Sequence, residues 1–118
     1  MPVRSLNSAV FKWPDRDTVL TAARFWAAGV RRDDPAVERI FCVGSYARDD
    51  WGVGSDLDVI VVLGNCDLSP PERRARYDPP GLPVPVDLWV YARAEWECLA
   101  ERAPHLWARL QREALDLP

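Results

Sequence analysis

Histidine and lysine are all but missing from this 118-residue chain, which has one of each, His105 and Lys12. His105 follows Pro104 near a helix start and has no second histidine in sequence reach. Capping or surface exposure therefore fits it better than a metal or catalytic role. Cysteine is scarce too. Cys42, Cys66 and Cys98 are odd in number and no two are spaced as a metal-binding or redox pair, which leaves reduced thiols. Long apolar runs are absent: Val59 to Leu63 falls far short of the roughly 20 residues a membrane span needs. Met1 to Val10 lacks the apolar centre of a secretion signal, so a cytoplasmic protein with no membrane contact is expected. There is no basic excess either. A net charge of −3 gives no overall attraction for a nucleic-acid backbone and argues against nucleic acid as the default partner.

What is present is the composition of a globular domain, 48% hydrophobic and 28% charged, and residues 1–118 fit one domain, compatible with a monomer or an oligomer. Val19, Leu20, Ala23, Phe25, Trp26, Ala27 and Val30 recur at helical spacing over Asp15 to Arg32, after the start signals Pro14 and Asp15. Val37 to Val43 reads as a strand. Gly44 to Gly54 holds three of the six glycines and predicts one helical turn followed by a loop. Asp56 to Leu63 predicts a second strand, and Val84 to Tyr91 a third, with Pro85 favouring an edge position. Between them a Pro- and Arg-rich connection carries a short helix around Glu72 to Tyr77, and Arg73, Arg74 and Arg76 read as a solvated basic face. From Ala94 to about Leu115 the spacing predicts one or two helices, broken at Pro104. This order gives an α/β (α+β) fold, a small mixed β-sheet packed on helices.

The chemistry concentrates in three places. Asp56 and Asp58 are two apart at the start of a strand, so their side chains share a face, with α-carbons about 6.8 Å apart. Two like charges that close disfavour each other's ionisation unless a cation intervenes. Asp87 interrupts the apolar run Val84 to Tyr91, where an unpaired buried acid would be costly. If the third strand lies beside the second, the three carboxylates make the hard oxygen site that suits Mg²⁺ together with substrate phosphates. Gly44 and Ser45 close the first strand, where free backbone N–H groups and the Ser45 hydroxyl could meet an anion. Arg48, one turn on, could neutralise charge or clamp an acid. Tyr46 and Trp51 flank this motif and could stack on a base, though packing is the commoner role for aromatics.

Gly44-Ser45-Tyr46-Ala47-Arg48, then Ser55-Asp56-Leu57-Asp58-Val59, then Val86-Asp87-Leu88 resembles the signature of the minimal nucleotidyltransferases of the DNA polymerase β superfamily. The segment Trp107 to Ala114 is more loosely similar to the way such proteins end. The resemblance implies transfer of a nucleoside monophosphate, usually from ATP, to a hydroxyl acceptor with release of pyrophosphate. It implies one or two Mg²⁺ ions, or Mn²⁺, on Asp56, Asp58 and Asp87, and a nucleotide held by Gly44, Ser45, Arg48 and Ser55. The family usually has glycine after the arginine, where this chain has Asp49, followed by Asp50 and Trp51. In 118 residues there is no room for the acceptor domain of the larger relatives. An acceptor in trans is therefore expected, and similar small proteins are often the antitoxin beside a helical HEPN-type partner. The alternative is a binding module that neutralises a helical partner by contact, its metal site vestigial.

Overall fold

The computed structural model describes residues 13–118; the segment on which the secretion-signal expectation rests lies outside the described residues. Helix α1 spans Arg16–Asp33 and starts where the sequence places it, since the Asp15 side chain accepts a hydrogen bond from the Thr18 N–H at 2.8 Å. It buries Val19, Leu20, Ala23 and Ala27, while Phe25 on its far side stays 84% exposed.

Three seven-residue strands, β1 (Val37–Val43), β2 (Leu57–Leu63) and β3 (Val86–Ala92), and a two-residue β4 (Leu115–Asp116) form one sheet in the order β3-β2-β1-β4. β1 runs antiparallel to β2 and to β4, whereas β2 and β3 are parallel. The parallel pair needs a crossover. Helix α3 (Pro70–Tyr77) supplies it, entered through a capping box in which Ser69 and Glu72 satisfy each other's backbone N–H groups. The single turn α2 (Ser45–Arg48) joins β1 to the loop before β2, and α4 (Arg93–Arg102) and α5 (Pro104–Glu113) follow β3. Pro104 breaks the last helical stretch as expected, because proline cannot donate inside a helix but is tolerated at the start of one.

The strands' alternation divides the core in two. Leu57, Val59, Val61 and Leu63 face α1, with Ile40, Cys42 and Leu88. Ile60 and Val62 face the other way, with Phe41 and Val43, onto Trp96 of α4 and Leu110 of α5. The β2 residue that begins this second face is Asp58. Among the described residues no helix is long and apolar enough to cross a membrane. All three cysteines are free, and burial pushes the Cys42 thiol up to about 11, which leaves it unreactive.

Three local expectations change. β3 begins at Val86 rather than Val84, with Pro85 just outside an edge strand. Leu115 belongs to β4, not to the last helix. Arg73 is not solvated: it is 7% exposed, its Nη1 2.6 Å from Glu95 Oε1 and its Nε donating to the Leu68 carbonyl at 2.9 Å.

Candidate functional site

The parallel pairing of β2 and β3 sets Asp58 directly opposite Asp87. Neighbouring strands lie about 4.8 Å apart, so the two acids are adjacent on one face of the sheet. β2 begins at Leu57, so Asp56 precedes the strand instead of opening it. A cavity of about 560 Å³ opens here, and Gly44, Ser45, Arg48, Asp56, Asp58 and Asp87 all line it. Asp87 is exposed rather than buried in a core, because it sits on an edge strand at the open mouth of the site. A larger groove, about 1180 Å³, runs along α1 past Phe25 and Leu82 and contains none of the predicted site residues. Chemistry, not volume, locates the site.

Burial pushes the Asp58 carboxyl up to about 6, helped by the charges of Asp87 and Asp56; Arg48 pulls it down and Glu113 adds to the rise. The shift marks a partly buried carboxylate beside other acids, whose charge Arg48 offsets only in part. The donor chemistry fits a hard divalent cation, and two of the three acids are fixed as neighbours by the backbone. The side chains themselves do not converge: among the described residues no group of three or more His, Cys, Asp or Glu is close enough together to hold a metal ion.

Gly44 follows β1 with a φ of +79°, which favours glycine, and a Cβ at this position would run into the Asp58 carboxylate. The glycine thus lets the turn approach the acid. Its N–H is not free for an anion as the sequence suggested, because it donates to Glu113 Oε1 at 3.1 Å. The same oxygen accepts from Arg48 Nη1 at 3.1 Å, while Arg48 Nε donates to Asp50 Oδ2 at 3.0 Å. Ser45 faces the cavity. Ser55 does not line it; its hydroxyl accepts from the Gly52 N–H at 2.8 Å and pins the loop before β2.

Tyr46 is fully buried and stacks on Trp51 at 5.7 Å with 10° between the rings, and its hydroxyl accepts from Trp13 Nε1 at 3.0 Å. Its role is packing. Asp49 occupies the left-handed region at φ +64°, which explains why glycine suits this position. Its carboxylate turns towards Arg16 Nε, 3.6 Å away, and does not line the cavity. His105 is exposed. Glu113 and Arg109 are the site residues that sequence reasoning missed. Spaced four apart, they read as an ordinary surface ion pair of a helix, and no local signal brings Glu113 to Gly44, 69 residues away, or to Arg48, 65 away.

Residues 27–106 match the family described as "nucleotidyltransferase domain". Among solved structures the chain is similar to a Sulfolobus solfataricus protein provisionally described as a nucleotidyltransferase. The identity is 25% over 70% of this chain and 75% of that one, with a TM-score of 0.57. It also overlays a toxin–antitoxin structure with AMP-PNP, at 16% identity over 89% of this chain and 73% of the other, with a TM-score of 0.47. No curated protein matches it.

Proposed function

The chain belongs to the nucleotidyltransferase domain family, and on that premise we propose that it transfers a nucleoside monophosphate, AMP foremost, from a triphosphate to a hydroxyl on a partner protein. The observation that carries this reading is the shared cavity. Asp58 and Asp87 are register neighbours on one wall, Ser45 and Arg48 line another, and Asp56 stands beside them.

The chemistry asks the protein mainly for positioning and charge control, because in-line displacement at phosphorus needs the attacking and leaving oxygens aligned and the phosphate charge neutralised. The acceptor oxygen forms a bond to the α-phosphorus as the bond to pyrophosphate breaks, and the acceptor proton must leave. Asp87, exposed on the edge strand, would accept that proton from an incoming hydroxyl. The Ser45 hydroxyl would donate to a β- or γ-phosphate oxygen, and Arg48 would offset its charge. Bound against Asp56, Asp58 and Asp87, one or two Mg²⁺ ions would neutralise the triphosphate and steady both the attacking and the leaving oxygen.

The test is to incubate the protein with Mg²⁺, candidate acceptors and ATP labelled on either the α- or the γ-phosphate, with Asp58→Asn in parallel. Stable α-label on a discrete acceptor, absent with γ-label and absent in the variant, is the expected result. A second reading has one observation in its favour, the lack of a converged three-ligand set. In it the domain neutralises a helical partner of the HEPN type by contact alone, and Asp58→Asn leaves that neutralisation intact while no α-label appears with the wild type.

A further inference from the structure

We infer that Glu113 is a positioning residue for the nucleotide: its carboxylate fixes the Gly44–Ser45 turn and holds Arg48 on the cavity wall. This rests on the nucleotidyl-transfer reading of the site. One oxygen, Glu113 Oε1, accepts from both the Gly44 N–H and Arg48 Nη1, each at 3.1 Å. The side chain is only 15% exposed, and Oε2 lies 3.9 Å from Arg109 Nε. A carboxylate so placed joins three segments, the end of β1, the turn α2 and the end of α5.

The anchoring behind Glu113 is what makes it a fixed point. Two residues on, β4 pairs Leu115 with Cys42 and Asp116 with Phe41. Leu117 is fully buried, its N–H donates to the Ile40 carbonyl at 2.9 Å and its carbonyl accepts from Arg31 Nη2 at 2.7 Å. Glu113 therefore sits on a segment bound to β1 itself, the strand whose end it restrains. Arg48 has two carboxylates to choose from. Asp50 draws Nε along the exposed loop, while Glu113 draws Nη1 over the cavity. Without Glu113, Arg48 keeps only the partner outside the site, and Gly44 loses the acceptor that fixes its turn.

A contact between a charged group and a backbone N–H strengthens with ionisation, so the carboxylate and its amide isostere should differ in degree. Glu113→Gln keeps an acceptor for Gly44 but no charge for Arg48; Glu113→Ala keeps neither. Binding of ATP with Mg²⁺ is followed by calorimetry, and exchange of the Gly44 amide by NMR, well below the unfolding temperature of each variant. Glu113→Ala should bind ATP about ten-fold more weakly than wild type, the order expected for losing a hydrogen bond to a charged group. Its Gly44 amide should exchange faster, and Glu113→Gln should recover part of both. A merely structural role would lower the unfolding temperature of the variants and leave the affinity alone. Folded Glu113→Ala that binds ATP as tightly as wild type, or more tightly, overturns the inference by itself. Should Glu113→Ala not fold, Glu113→Gln with unchanged affinity overturns it. Wild-type protein that binds no nucleotide defeats the nucleotidyl-transfer reading and this inference together.

Discussion

Asp58 is held at a cost to the fold. Its carboxyl titrates at about 6 in the folded protein against an ordinary 3.8, so the folded state holds this proton more tightly than the unfolded chain does. Stability from this group is therefore present at low pH, falls as the pH rises from about 4 to about 6, and stays lost above that. Asparagine cannot ionise. With chelator present, Asp58→Asn should unfold at a higher temperature than wild type at pH 8, and the gap should close as the pH is lowered through the same window. The substitution proposed to remove transfer should thus stabilise the metal-free protein, as happens where function stores unfavourable charge. Asp49 gives a second prediction. At φ +64° an aspartate is strained, and its ion pair with Arg16 is exposed enough to contribute little. Asp49→Gly should raise stability by about 0.5 to 1 kcal/mol, read from the urea midpoint at unchanged slope.

Among the elements, β4 has an effect out of proportion to its two residues. It is the strip through which the last helix is fastened to the first strand, and Leu117 beyond it is fully buried. Leu117→Ala should lower unfolding free energy by about 3 kcal/mol in a denaturant titration. The sequence could not announce this element. A two-residue strand has no period, and Leu115 falls in step with the helical pattern before it. The longer elements were legible for the opposite reason. α1 repeats its apolar face over five turns with a visible cap at Asp15, and β2 is a run of β-branched residues long enough to have only one reading. Arg73 reads as solvated because three arginines in a connection look so, and only the packing of α3 beside β3 and the first turn of α4 brings Glu95 to it.

Across the whole molecule, the second core face carries both the packing and the chemistry. Its apolar half, from Ile60 and Val62 to Trp96 and Leu110, ends where Asp58 and Asp87 begin. The acids and the glycine turn were readable because each breaks a local pattern, a carboxylate in a strand or a glycine at its end. Their neighbour Glu113 broke none, and it reaches the turn only through the closed sheet. That contact, spanning 69 residues, also sets a schedule. A ribosome adding about 5 to 20 residues per second needs roughly 3 to 14 s to make Glu113 after Gly44. For that interval the nascent chain can hold its glycine turn and its first acids but not the clasp proposed to fix them, so on that proposal binding competence waits for Glu113 to be made.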